Sequence, residues 1–463
     1  MSAHVPSLAE ASRGIADGTL SPVALTEQAL ARIAALEPRL NAFIEVTAPR
    51  ARAAAAQAEA EIKAGKRRGP LHGIPYALKD IYDAAGLRTT CHSRQMLQNM
   101  ASEDAETTAR LEAAGMVLLG KLSTHEFARG GPTDALPFPN AKNPWDVARF
   151  AGGSSSGSGA AVAAGMVAMA MGSDTGGSIR LPASYCGIVG LKATYGRISR
   201  RGVFPLSFTL DHAGPLTRTV EDCAMAMQVL AGHDPLDPGS ADTPVPDYVA
   251  ALGEGIAGLT IGRARDFDIE SGVDAETMAA LDAAVEVLRR LGATVVDVTL
   301  PARMRTDAVT QAILLAEGFA IHAPWLREKP DLYGRVTRER LMMGAFVSGA
   351  EYVQAQRLRR VLTAEVDAVL AGCDAILCAG TTSAAPLLSE VDEGPFRKSH
   401  PITSPFNATG HPAIVLPCGL AANGMPLSLS FVGGSFEEAM LLRISHAYEM
   451  AAGWRDIRPP LEA

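Results

Sequence analysis

Ser173-Asp174-Thr175-Gly176-Gly177-Ser178-Ile179-Arg180 is the stretch on which the reading of this chain turns. Glycine permits backbone geometry closed to other residues. Two of them before Ser178 let the amides of Thr175, Gly176, Gly177 and Ser178 turn inward as a nest, which is an anion site. An apolar run, 160–171, leads into this stretch. It is too short to span a membrane and reads as a buried helix entering a buried strand. Upstream stands Gly152-Gly153-Ser154-Ser155-Ser156-Gly157-Ser158-Gly159, and further upstream Lys79 in Ala77-Leu78-Lys79-Asp80. Ser154 and Ser178 are 24 positions apart, and Lys79 lies 75 before Ser154.

Each signal has a plainer reading by itself. Gly152 to Gly159 looks like a flexible linker, residues 175–178 like a phosphate loop or tight turn, and Lys79 like a surface lysine. The linker reading fails locally, because linkers seldom run straight into a core. Together the three can build a serine nucleophile whose base is a lysine. Amide hydrolysis needs a nucleophile, a proton acceptor, a donor to the leaving nitrogen and donors for the oxyanion. No histidine lies near either serine run. An exposed lysine, with a pKa of about 10.4, is protonated, and burial can lower that value by several units. The apolar setting Ile74-Pro75-Tyr76-Ala77-Leu78 reads as a buried strand. Ser154 can then relay the proton of Ser178 to Lys79 and return one to the departing amine.

Outward from this core, the pattern is helix alternating with strand. Ser21-Pro22 starts a helix whose Leu25, Ala29, Ile33 and Leu36 share a face, and a second covers Pro49 to Ala64. Residues 109–114, Gly115 and 116–119 read as helix, left-handed stop and strand. The same grammar recurs at Asp274, Leu281, Leu288, Gly292 and the strand 294–298. Further strands are expected at 375–378, 413–416 and 427–432, the last two joined through Asn423-Gly424 as a hairpin. Ser435 with Glu438 reads as a capping box. The Pro-, Asp- and Gly-rich segment 232–247 reads as an exposed loop. Strands on both sides of it point to one continuous sheet. The expected fold class is α/β, a large mixed sheet sandwiched by helices, as a single domain over residues 1–463.

The composition is ordinary for a globular chain of 463 residues: 48% apolar and 20% charged, with a net charge of −8. That charge argues against a broad basic footprint for nucleic acid. Six cysteines show no metal-type pair spacing. With a polar start, Met1 to Glu10, they read as reduced thiols in a cytoplasmic protein.

Leu71-His72-Gly73-Ile74-Pro75 with Leu78-Lys79-Asp80, then Gly152-Gly153-Ser154-Ser155, then Asp174 to Arg180 resemble the amidase signature family. Asn143-Pro144-Trp145, Leu210-Asp211-His212-Ala213-Gly214-Pro215 and Asn407-Ala408-Thr409-Gly410-His411-Pro412 are similar too. The likeness covers essentially the whole chain, densest over about 70–220, with a helical region before it. It implies a triad of Ser178 as nucleophile, Ser154 as bridge after a cis bond from Gly153, and Lys79 as base. It also implies an oxyanion hole from the amides of Thr175, Gly176, Gly177 and Ser178, with no metal or organic cofactor. Many relatives carry Gly-Gly where this chain has Ser156-Gly157; Ser156 is expected to cap a helix.

The substrate is less legible. Leu181 hints at an apolar wall, and Phe204, Leu206 and Phe208 lie on a loop that could line a pocket with Met96, Met100, Phe127 and Phe138. Ala128, Leu181, Phe204 and Leu206 are the candidate substrate contacts. Arg180 is expected to pair with Asp174, Arg197 and Arg200 to sit on the surface by default or to reach the site mouth, His72, His125 and His212 to be structural, and Asp80 and Asp211 to be buried scaffold acids. The expected activity is hydrolysis of uncharged apolar or aryl amides, extending to anilides and carbamates. The partner would be a small-molecule amide, with no nucleic acid and no membrane, and a homodimer allowed. The rival reading is the glutaminase subunit of a tRNA-dependent amidotransferase; the wording 407–412 looks more like hydrolytic relatives. A non-catalytic binding protein is the second rival.

Overall fold

The apolar runs 375–378, 413–416 and 427–432 that read as strands are covered on both faces, whereas the strand expected at 294–298 is largely exposed. A computed structural model describes residues 4–133, 136–391 and 401–461. Its strands are β1 (Phe43–Val46), β2 (Pro75–Lys79), β3 (Val117–Leu122), β4 (Met169–Asp174), β5 (Val189–Lys192), β6 (His212–Thr217), β7 (Thr260–Arg263), β8 (Thr294–Asp297), β9 (Ala375–Ala379), β10 (Ala413–Leu420) and β11 (Pro426–Val432). They form one sheet in the order β1-β3-β2-β4-β6-β5-β10-β11-β9-β7-β8. Successive strand residues point to opposite faces, and every residue of β2 through β6 is buried. Helices therefore sandwich the sheet. It is mixed: β2 is parallel to β3 and β4, whereas β6 is antiparallel to β4 and β5. Strands from both sides of the loop 232–247 share it, as expected.

Local chemistry explains the element ends. The Ser21 hydroxyl accepts from the Ala24 amide at 3.1 Å, and the helix Pro22–Leu40 follows. Asp274 does the same for the helix Ala275–Arg290. Gly115 stops its helix at φ 81°. The hairpin β10–β11 turns through Asn423-Gly424. Several helices were not foreseen, among them Arg303–Glu328, Gly349–Leu370 and Leu8–Ala16, the last with a full capping box between Ser7 and Glu10 inside the segment read only as polar. Two caps fail. Ser435 caps nothing; the helix Glu438–Ala452 starts after Glu437, and the buried Glu438 carboxylate instead accepts the Thr194 amide at 2.8 Å. Ser156 is the first residue of the helix Ser156–Ala163, whose start carries no side-chain cap.

A second apolar cluster lies beneath the helices Arg303–Glu328 and Gly349–Leu370. It joins Leu206 and Leu210 to Ile313, Leu314 and Leu362. The first helix of this pair sends Thr310, Gln311 and Leu314 to the cavity lined by Ser154 and Ser178.

Candidate active site

Lys79 is the last residue of β2, and β4 runs parallel beside it, with Leu78 opposite Met171. The register brings the lysine to the end of β4, where the quoted run begins. Its Nζ donates to Ser154 Oγ at 2.7 Å and to Ser173 Oγ at 2.7 Å. The amine is wholly buried, and desolvation lowers its pKa to about 7, against the opposing pull of Asp174 and Asp211. No carboxylate lies within ion-pair distance of it among the described residues.

The two serine runs are stitched together by backbone. The Ser155 amide donates to the Ser178 carbonyl at 3.3 Å, and the Ser155 hydroxyl receives the Ser173 amide at 3.2 Å. The Gly153–Ser154 peptide is cis. The Ser154 carbonyl is held by the His125 amide and the Thr124 hydroxyl at 3.1 and 2.9 Å. Gly153 has no room for a side chain: a Cβ would stand 2.0 Å from the His125 ring. His125 is thus a packing wall for the serine turn, stacked in addition on Phe150.

Asp174 organises the turn after β4. Its carboxylate accepts both Arg180 Nε and Nη2 at 2.9 Å, the Gly177 amide at 2.7 Å and the Asn407 amide group at 2.9 Å. Burial pushes this carboxyl up, but the Arg180 charge and hydrogen bonds outweigh it and hold the group below the usual carboxylate range. The expected Arg180–Asp174 pair is therefore present and fully buried. It also engages one of the four expected oxyanion donors: the Gly177 amide points at Asp174. The amides of Thr175, Gly176 and Ser178 are the remaining candidates.

Ser178 and Ser154 line the same cavity of about 60 Å³, with Gly153, Thr175, Gly176 and Leu181. Among the described residues no hydrogen bond joins the two hydroxyls, so the lysine-to-Ser154 leg is formed and the Ser154-to-Ser178 leg is not. A larger cavity of about 450 Å³ adjoins it through Ala128, Thr175 and Leu206. Phe204, Leu206 and Phe208 line the larger one; Ala128 and Leu206 line both; Leu181 lines the smaller.

Other expected positions fall elsewhere. Phe127 belongs to an aromatic cluster with Phe204, His322 and Tyr333. Phe138 packs on His92, and Met100 is exposed. With Met96, these line neither cavity. Arg197 is not on the surface: it is buried, bonded to the Thr243 and Pro244 carbonyls and paired with Glu438 at 3.4 Å. Asp211 is a scaffold acid, accepting the Thr175 hydroxyl at 2.6 Å and the Leu206 and Ser207 amides. Ser173 and Asn407 had no role from the residues alone, although both lie inside quoted motifs. Their polar side chains in buried runs were the available signal. Among the described residues no three metal-ligating side chains gather, and no helix is long and apolar enough to cross a membrane.

The family described as Amidase matches residues 24–442. One glutamyl-tRNA(Gln) amidotransferase subunit, from Anaeromyxobacter sp. (strain K), is 40% identical over 473 residues, covering 96% of each chain. Further proteins of that name match at 38% to 40%. Among solved structures, a chain of an unexpected vestigial protein complex that reveals the evolutionary origins of an s-triazine catabolic enzyme superimposes with TM-score 0.90. It is 36% identical and covers 96% of this chain and 98% of that one. The peptide amidase from Stenotrophomonas maltophilia superimposes with TM-score 0.84 at 33% identity, covering 98% of both.

Proposed function

This chain belongs to the amidase family, and from that premise we propose that it hydrolyses carboxylic amides through an acyl-enzyme on Ser178. The observation that carries the reading is the buried Lys79 amine, lowered to about pKa 7 and 2.7 Å from Ser154, a serine that lines one cavity together with Ser178. Ser178 Oγ attacks the carbonyl carbon. Its proton passes to Ser154 as the Ser154 proton passes to Lys79. The oxyanion is held by the amides of Thr175, Gly176 and Ser178. Collapse expels the amine, which takes a proton from Ser154 as Lys79 resupplies it. Water then cleaves the acyl ester by the same relay in reverse. Substrate closes the open leg between Ser154 and Ser178; hydrogen bonds at catalytic groups commonly tighten only in the complex. No cofactor takes part.

Two substrate classes follow. The adjoining cavity, walled by Phe204, Leu206 and Phe208, supports uncharged apolar or aryl amides, with anilides and carbamates included. The glutaminase reading draws on the relatives named as a glutamyl-tRNA(Gln) amidotransferase subunit, and these sequence relatives speak for it more directly than for the first. On that reading the expectation of no nucleic-acid partner is amended: the chain would serve an assembly that acts on a tRNA. In both, the chain works as one catalytic unit in the cytoplasm. Fluorophosphonate labelling at Ser178, lost in Ser178→Ala, tests the nucleophile. Kinetics on anilides, aliphatic amides, aryl carbamates and glutamine, with and without a co-purified partner, separate the two classes. Glutamine preference, or activity only with the partner, selects the second.

A further inference from the structure

Two exposed apolar side chains from separate loops stand in the wall of the larger cavity. Phe208 is 53% exposed and Leu236 is 70% exposed, and both line the cavity. Exposed singly, such residues need no explanation. Here both are held in place. The Phe208 carbonyl accepts from the Tyr195 hydroxyl at 2.8 Å and from Arg200 Nη1 at 2.6 Å. The turn bearing Leu236 is closed by its own amide on the Asp234 carboxylate at 3.0 Å and by the Gly239 amide on Asp237 at 2.9 Å. Asp237 accepts the Arg200 amide at 2.8 Å and its Nη2 at 3.2 Å. Arg200, stacked 4.6 Å above the Tyr195 ring, thus braces both loops. Gly239 leaves space for that brace: a Cβ there would stand 1.9 Å from the Arg200 guanidinium.

Charge on the wall is already matched among the described residues. Arg200 faces Asp237, and Arg201 is bound by Asp234 and Glu106. Asp211 lies among hydrogen bonds, with burial pushing its carboxyl up, and burial holds His212 well below its usual range. Neither a carboxylate nor an ammonium on a ligand would find a spare counter-charge here. A volume of about 450 Å³ suits a ring-sized group.

We propose that Phe208 and Leu236 form an apolar doorway that selects amides whose acyl or amine part carries an uncharged aryl or cycloalkyl group, seated in the larger cavity and emerging between the two side chains. This rests on the first substrate reading above, and it adds Leu236, in the loop 232–247, as a specificity-determining residue.

The test compares kcat/KM for acetanilide, benzamide, propionamide and glutamine in the wild type, Phe208→Ala, Leu236→Ala and Phe208→Leu. The ratio of anilide or benzamide to propionamide should fall about tenfold in each alanine variant, the scale of one lost apolar contact, and recover largely in Phe208→Leu. An unchanged ratio in both alanine variants overturns the doorway, as does a wild-type preference for glutamine over both aryl amides, although either result leaves Ser178 catalysis standing. Absence of turnover on every amide together with no fluorophosphonate label on Ser178 overturns the catalytic reading, and the doorway with it.

Discussion

Lys79 ends β2, Lys121 stands one residue before the end of the neighbouring parallel strand β3, and both are buried to the same degree. Their surroundings differ in one respect. Lys121 makes an ion pair with Asp80 at 2.9 Å, both side chains 1% exposed, and donates also to the Arg88 carbonyl and the Thr89 hydroxyl. Lys79 meets two serine hydroxyls and no carboxylate at that range. Asp80 is the next residue to Lys79 in the chain, yet it serves the other lysine, because consecutive residues leave a strand in opposite directions. Asp174, a nearby acid that pulls the Lys79 pKa upward, is bound by Arg180. A buried lysine with a counter-charge is a structural strut. One with hydroxyls alone sheds its proton near neutrality, and that is what a base must do.

The sharpest way to break this comparison is to remove each amine. Lys79→Met should lower kcat by roughly 10³- to 10⁴-fold, with no loss in the midpoint of thermal unfolding. Lys121→Met should do the reverse, destabilising the fold by about 3–5 kcal/mol because Asp80 is left as an uncompensated buried charge. Denaturant unfolding and steady-state kinetics on both variants check the pair; a strut-like loss of stability in Lys79→Met would erase the distinction.

Stability against pH carries the same contrast, with the sign fixed by proton counts. Lys79 has a folded pKa of about 7 against 10.5 when exposed, so between those values the unfolded chain binds more protons and stability rises with pH. The expected gain is of order 5 kcal/mol, and it should vanish in Lys79→Met. Asp222 and Glu449 act oppositely. Burial raises each to about 7, so the folded state holds protons that the unfolded state releases, and their contribution is lost as pH climbs toward 7. Asp222→Asn should flatten that acid-side slope in urea titrations taken at several pH values.

The smallest expected effect belongs to Ser173. Its hydroxyl accepts from Lys79, which favours the charged form. Ser173→Ala should lower kcat by about tenfold and move the acid limb of the rate profile to lower pH. An unmoved profile would reduce Ser173 to packing.

Much of this was legible in the residues. Runs such as 375–378 and 413–416, apolar on both strand faces, demand a covered sheet, and glycines at 115 and 424 mark where the chain turns. The lack of a histidine near either serine run and the apolar setting of residues 74–78 nominate Lys79, and the resemblance to the amidase signature family implies its role as base. Other features lay beyond reach. Nothing local distinguishes Lys79 from Lys121, since the difference is which carboxylate folds back, a contact settled across strands. The Ser435 box failed because Glu438 found a better donor in Thr194, 244 residues away. The loop 232–247 read as mere exposure, yet its Asp234 and Asp237 are buried and its turn walls a cavity, because Arg200 and Arg201 reach over to them.

The pH dependence of the acylation rate, measured in single turnover so that chemistry limits, tests the account most directly. It should rise through one ionisation near the pKa of about 7 given for Lys79, with that ionisation absent from the residual rate of Lys79→Met. A rate independent of pH from about 5 to about 9 would contradict a lysine base.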